Sequence, residues 1–191
     1  MAIWQWMNDS IMAASNSIRS YSYLVKKVVF PVDIIPTISI VASSFVGVFL
    51  LLISVLICSI YKVFPNLLIF VYVIIATYCF IIALTRFTSA VTALIPDFSN
   101  LLGILMQLCF WFTPIIWNLN MLSEHHTILR VMQCMPFTYL VTAFRQVFMN
   151  ENIILAEHGI YTIIFWIITV TLFVWGNSVF KRTKKDFADV L

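Results

Sequence analysis

Four stretches of this chain run without a charge for long enough to cross a lipid bilayer: Thr37–Tyr61, Asn66–Thr85, part of Phe98–Ser123, and Gly159–Phe180. A crossing helix needs about 20 mostly apolar residues. A water-soluble helix of that length would show a polar stripe at helical spacing. These runs instead scatter Ser and Thr among Leu, Ile, Val and Phe, with no charged face. Of the 191 residues, 62% are hydrophobic and 10% charged, against about half and a quarter in a soluble domain. Much of that apolar surface has to meet lipid. The expected fold class is all-α, a polytopic transmembrane helix bundle forming one domain over residues 1–191, with spans near 37–61, 66–92, 100–119 and 159–180.

Pro-containing connectors separate the first three spans: Lys62-Val63-Phe64-Pro65-Asn66 and Pro96-Asp97-Phe98-Ser99-Asn100. Proline fixes its own φ and turns the preceding residue away from helix. A further uncharged run, Val131–Phe144, is too short to span and contains Pro136. With the residues before it, it reads as a re-entrant extracellular helical hairpin over 121–150. Such backbone is tolerated at membrane depth only against protein or a wet cavity.

The basic residues orient the chain. Placing the tail Lys181-Arg182-Thr183-Lys184-Lys185 inside puts Arg19, Lys26, Lys27 and Arg86 inside as well. Only Lys62, Arg130 and Arg145 are then outside. Positive charge favours the cytoplasmic side, so a cytoplasmic C-terminus is expected.

The segment 3–30 is read as a partial span or cytoplasmic helix. Ile3-Trp4-Gln5-Trp6-Met7 has an interfacial character, and Asn8–Ser22 is rich in Ser and Asn with Asp9 and Arg19. Two placements fit: an amphipathic helix on the membrane, or the less lipid-exposed end of a helix packed inside the bundle. No basic region followed by an apolar one opens the chain, so the spans themselves drive insertion.

Several function classes are excluded. No glycine opens a G-x-x-x-x-G-K-[ST] loop, and neither G-x-S-x-G nor H-E-x-x-H occurs. No catalytic residue is therefore assigned, and ATP cannot be bound here in the P-loop manner. Cys58, Cys79, Cys109 and Cys134 form no C-x-x-C pair and read as free apolar thiols. Glu124-His125-His126 would need a third or fourth ligand to hold a metal; Glu157 and His158 fall on the same expected face of the membrane, so a site is conceivable, but the cluster reads as a solvated loop and no metal site is assigned. The net charge of +3 carries no nucleic-acid motif with it.

Two features stay open on composition alone. Arg86 either snorkels to headgroups or pairs within the bundle. Phe110-Trp111-Phe112, with Pro114 and Trp117, forms either a stacking surface for sugar rings or an aromatic belt at the outer interface.

Three ordered segments carry a family resemblance. Leu24-Val25-Lys26-Lys27-Val28-Val29-Phe30-Pro31 resembles the L-V-K-K-V-x-F-P element of type-2 ABC exporter membrane subunits. The stretch from Asn100-Leu101-Leu102 through Gln107, Phe110-Trp111 and Thr113-Pro114-Ile115 to Trp117 resembles their N-L-L-x-x-x-x-Q-x-x-F-W-x-T-P-I-x-W. Met135-Pro136-Phe137-Thr138-Tyr139 with Val141, Phe144 and Arg145 resembles N-P-x-T-Y-x-V-x-x-F-R. The polysaccharide and teichoic acid export permeases are the most similar subgroup.

The resemblance implies a permease subunit in the bacterial cytoplasmic membrane that homodimerises and docks a P-loop ATPase subunit. ATP and Mg would be bound by that partner, with no cofactor in this chain. The substrate implied is a lipid-linked polymer. Leu24, Val25, Lys26, Lys27, Val28, Phe30 and Pro31 would form the ATPase-coupling surface. Phe110, Trp111, Phe112, Pro114 and Trp117 would border the translocation path. The family carries about two further N-terminal spans, so Met1–Tyr23 would be the inner half and exit of its second span. Where the family often has Arg-Asp, this chain has Pro96-Asp97. The alternatives are a non-transporting remnant or scaffold, an exporter of another substrate, and a transferase acting on lipid-linked sugars.

Overall fold

The computed structural model describes residues 1–23, 31–63, 65–117, 119–122, 126–149, 159–185 and 187. Among these all regular structure is helical. In chain order the α-helices are α1 (Ala2–Ser20), α2 (Ile35–Ile60), α3 (Leu67–Leu94), α4 (Phe98–Phe112), α5 (His126–Gln133), α6 (Pro136–Met149) and α7 (Gly159–Thr183). Three segments are long and apolar enough to cross a membrane: Val32–Ile60, Leu67–Leu94 and Gly159–Thr183. The protein is thus an all-α polytopic helical bundle.

Local chemistry sets the helix ends. A 3₁₀ turn at Val32–Ile34 leads into α2, and a proline stands in its first turn, where a missing N–H is harmless. The C-terminus of α2 closes with Lys62 in the left-handed region at φ 59°. The Lys62 amide donates to Ser59 and the Val63 amide to Cys58, a pattern that satisfies the last carbonyls. Asn66 caps α3 by accepting from the Leu68 amide at 3.2 Å. Helix α3 stops at Ile95, held extended at φ −120°, ψ 101° by the proline that follows.

The expected span at 100–119 is corrected. Helix α4 ends at Phe112 after 15 residues, about 22 Å of rise, short of a bilayer core of about 30 Å. The cause is Pro114, which holds Thr113 extended at φ −75°, ψ 136°. Pro136 does not interrupt a helix but begins α6.

The least apolar long helix lies at the centre. Helix α1 packs along both α2 and α3, and touches α4 and α6. Ile3, Trp6, Met7, Ile11, Ala14 and Ile18 are each at most 1% exposed. The small residues Ser10, Ala14 and Ser17 on its buried faces allow close helix approach. Of the two placements open for 3–30, the described part is the packed one: a helix from residue 2 to 20 inside the bundle. By contrast, Phe45, Phe49, Leu52 and Leu56 of α2 and Ile163, Ile167 and Val174 of α7 are exposed, as lipid-facing side chains are. Hydroxyls on these spans bond back to their own helix, for example Thr171 to Ile167 and Ser178 to Val174. They need no neighbour, which is why Ser and Thr sit harmlessly in apolar runs.

Candidate functional site

Helix α1 is covered on three sides and open along the fourth. On the open side Gln5, Asp9, Met12, Asn16 and Ser20 recur at spacings of three or four, which places them on one helical face. The Trp6 ring meets Tyr78 at 4.9 Å, and the Ser15 and Thr88 hydroxyls meet at 2.7 Å. Asp9 therefore falls level with the middle of α3, a helix long and apolar enough to cross a membrane. An acid at that depth is strongly disfavoured against lipid, by about 2.5–3.5 kcal/mol or more, and instead faces a wet cavity or other protein.

Two grooves flank this stripe. Between α1 and α4, a groove of ≈ 450 Å³ places Gln5, Asn8 and Met12 opposite Gly103, Gln107 and Phe110. Between α1 and α2, a second of ≈ 490 Å³ places Asn16 and Ser20 opposite Ser39 and Ser43. The Gln5 amide donates to both Asp9 carboxylate oxygens, at 2.9 and 3.1 Å, and the Asn8 amide to one of them at 3.4 Å. The carboxylate is thus held in place by neutral donors from its own helix.

The aromatic residues singled out from the sequence separate here. Phe110 lines the α1–α4 groove and packs on Trp4 at 5.8 Å. Trp111 and Phe112 are 65% and 59% exposed and line neither groove. Trp117 donates its indole N–H to the Trp111 carbonyl at 3.3 Å. Pro114 is buried, and its carbonyl accepts from Arg145 Nη2 at 2.7 Å. The polar groove residues Gln5, Asn8, Asn16, Ser39, Ser43 and Gln107 were not among the expected site residues. For Asn8 and Asn16 the signal is the recurrence of polar side chains along Asn8–Ser22, which forms a stripe on a single helix; Gln5, Ser39, Ser43 and Gln107 lie outside that run.

At one end of the bundle the α5–α6 pair is tied to the spans. Arg145 also reaches the Ile115 carbonyl at 3.3 Å, and the Val147 carbonyl accepts from the Asn66 amide at 3.2 Å. Behind it runs a chain of hydroxyls. Trp166 Nε1 donates to Tyr72 Oη at 3.0 Å, Tyr72 Oη meets Tyr139 Oη at 3.0 Å, and Tyr139 Oη meets Thr162 Oγ1 at 3.0 Å. Helices α3, α6 and α7 are thereby joined.

At the opposite end, Asp33 is a junction. Its carboxylate pairs with Lys184, and its backbone carbonyl accepts from Arg86 Nη1 at 3.1 Å. The Arg86 guanidinium also lies over the Phe180 ring, 5.5 Å from its centre. Of the two readings of Arg86, pairing inside the bundle is the one observed. Ile18, Val32, Ile35, Ala90, Phe180 and Phe187 form a compact apolar cluster around this junction. Of the expected coupling surface, Leu24, Val25, Lys26, Lys27, Val28 and Phe30 lie outside the described residues. Pro31 is described and leads directly into the Val32–Ile34 turn that carries Asp33. Among the described residues no group of three or more His, Cys, Asp or Glu is placed to hold a metal ion. Glu124 and His125 lie outside them.

Comparison with known proteins adds a family. The model of the family described as ABC-2 type transporter matches residues 1–149. The O-antigen export system permease protein RfbA of Myxococcus xanthus is 22% identical over 193 residues, covering 97% of this chain and 71% of that protein. A protein of the same description from Klebsiella pneumoniae is 24% identical over 195 residues, covering 98% and 71%.

Proposed function

We propose that this chain, which belongs to the ABC-2 type transporter family, is the permease subunit of an ATP-driven exporter of lipid-linked cell-surface polysaccharide or teichoic acid. Members of the family are membrane permeases with no catalytic centre of their own, so the chemistry of ATP hydrolysis belongs to a separate P-loop ATPase. That partner binds ATP and Mg. This chain docks it through 24–31, sits in the cytoplasmic membrane among lipids with its C-terminus inside, and works as a homodimer. The α5–α6 pair is the re-entrant hairpin on the outer side.

One observation carries the reading: the polar helix α1 packs at the centre of an apolar bundle, against α2, α3, α4 and α6. A chain built only to anchor in lipid has no need of such a helix. The resemblance to O-antigen export permeases supports a polymer as the cargo. The Asp33 junction supports the route of coupling. It ties the exit of the docking segment to α3 through Arg86 and to the end of α7 through Lys184, so a push at 24–31 is felt by two spans.

The test is co-purification. The tagged protein, isolated in mild detergent from its native host, brings down a P-loop ATPase. Replacing both Lys26 and Lys27 by Glu reduces the recovered ATPase at least tenfold with the permease level unchanged. Absence of any ATPase, also when a longer N-terminus is supplied, refutes the reading.

A further inference from the structure

Helix α7 ends at Thr183, and Lys184 and Lys185 form a turn. The Lys184 amide donates to the Phe180 carbonyl at 2.9 Å, so the turn is anchored on the last turn of the helix. Had the helix continued, Phe187 would stand about 10 Å beyond Phe180. Instead the two rings meet edge to face with their centroids 5.7 Å apart. The chain therefore turns back onto the end of the bundle. Phe180 and Phe187 are both 0% exposed. They share one apolar cluster with Ile18 near the end of α1, Val32 and Ile35 at the entry to α2, and Ala90 and Ala93 near the end of α3.

The contacts that seat this tail are of two kinds. One is burial of the Phe187 ring. The other is the ion pair of Lys184 with Asp33, whose side chains are 38% and 41% exposed. An ion pair so open to water is weak and is screened by salt. Lys181, Arg182 and Lys185 beside it are exposed and carry the same charge as Lys184. The tail can thus lift by withdrawing one ring and parting one exposed pair, with every hydrogen bond inside α2 and α3 intact. The bond from Arg86 to the Asp33 backbone carbonyl does not involve the tail and survives its release.

What the tail grips is the entry to α2. Asp33 lies two residues after Pro31, in the turn that leads into that helix. While the tail is seated, this entry is held to the end of α7. A push arriving at Pro31 is felt by α7 through the tail, and the tail is the part that yields.

We propose that the residues following α7 form a detachable strap, seated on the entry to α2 in the resting permease and released when nucleotide binding in the ATPase moves the docking segment. The proposal rests on the reading of 24–31 as that segment. Phe187 is the plug of the strap and the Lys184–Asp33 pair its catch. The seated strap restrains ATP hydrolysis in the idle complex.

The test uses the permease with its ATPase in lipid nanodiscs. Tryptic cleavage after Lys185 is timed by mass spectrometry. Each rate is normalised to that of a free peptide of residues 178–191 carrying the same substitution. Phe187→Ala accelerates cleavage at least about tenfold, as expected for losing a buried ring from the closed form, and Phe187→Leu restores most of the protection. Asp33→Asn, which leaves the backbone carbonyl for Arg86, accelerates it about threefold. In the wild-type complex a non-hydrolysable ATP analogue with Mg accelerates cleavage and lowers the yield of the zero-length carbodiimide cross-link between Asp33 and Lys184. Phe187→Ala raises ATP hydrolysis by the complex in the absence of cargo.

If neither Phe187→Ala nor Asp33→Asn changes cleavage, the ring and the pair do not hold the tail and the inference falls. It falls equally if the analogue alters neither cleavage nor cross-linking, or if Phe187→Ala frees the tail without raising hydrolysis. In each of these cases the docking reading stands. If no ATPase joins the permease, the docking reading falls and takes the nucleotide-driven release with it.

Discussion

The guanidinium of Arg86 reaches across 53 residues of sequence to donate to the backbone carbonyl of Asp33 at 3.1 Å. The same residue's carboxylate pairs with Lys184. The two contacts differ in worth. Arg86 is part-buried and also lies over Phe180, whereas the Lys184 and Asp33 side chains are 38% and 41% exposed. A hydrogen bond from a charged donor contributes about 1.5–3 kcal/mol, an exposed ion pair about 0–1 kcal/mol. Arg86→Ala is therefore expected to lower the melting temperature of the purified protein clearly, and Lys184→Ala barely. Arg86→Lys restores little of the loss, because a point charge does not reproduce the planar guanidinium. Equal losses for Arg86→Ala and Lys184→Ala would contradict this assignment.

Gly47 and Trp6 set how closely α1 and α2 approach. A Cβ added at Gly47 would lie 2.2 Å from Trp6 Cδ1, and the Trp6 side chain is 1% exposed with no room to move. Gly47→Ala is expected to destabilise by about 1–3 kcal/mol or more through overpacking. At Gly103 the nearest atom to an added Cβ is the end of Met12 at 3.7 Å, so Gly103→Ala is expected to be neutral within about 0.5 kcal/mol. Thermal unfolding of the two variants side by side decides it, and recovery in the double variant Gly47→Ala/Trp6→Leu identifies the clash as the cause.

The hydroxyl chain through Tyr139 predicts non-additivity. Tyr139→Phe removes two hydrogen bonds at once, those to Tyr72 and Thr162. Thr162→Val removes one. The first is expected to cost about 1–3 kcal/mol and the second about 0.5–1.5 kcal/mol. The double variant should cost no more than Tyr139→Phe alone, since the contact is shared. A fully additive double variant, measured by denaturation in detergent, would show the contacts to be independent.

Arg145 tethers α6 to the end of α4 through the carbonyls of Pro114 and Ile115. Those carbonyls are free because Pro114 ends the helix. Arg145→Gln is expected to loosen the α5–α6 pair without unfolding the spans. The readout is limited proteolysis, with cleavage in the region between α4 and α7 accelerated about tenfold, which corresponds to the loss of about 1.4 kcal/mol of local closure. Unchanged cleavage would mean that the bonds from Arg145 contribute nothing to closure.

Lys62 holds a left-handed conformation at the end of α2, where glycine is favoured because it lacks a Cβ. Lys62→Gly is expected to leave stability unchanged or raise it by up to about 1 kcal/mol. A clear loss would show that the Lys62 side chain makes a compensating contact.

Much of the architecture was readable along the chain. Membrane class, helical content and the segments that became α2, α3 and α7 follow from uncharged length, because lipid imposes the same demand on any span wherever it packs. Prolines marked breaks for a similarly local reason. Where the sequence reading failed, at 100–119, the signal was also local: Pro114 lies inside the apolar run and ends α4 at Phe112.

The tertiary structure decided what hydropathy could not. Judged residue by residue, Ala2–Ser20 looks too polar to lie in a membrane, because a hydropathy scale assumes lipid as the neighbour. Its neighbours are α2 and α3, which supply the apolar exterior, so Trp6, Ser15 and Asp9 need only suit other protein and an open groove. The partner of Arg86 was hidden for the same reason, since Asp33 is near it only after α2 and α3 pack. Among the aromatics, sequence order put Phe110, Trp111 and Phe112 together. Successive residues on a helix point about 100° apart, and the position of α1 leaves Phe110 alone of the three lining the groove.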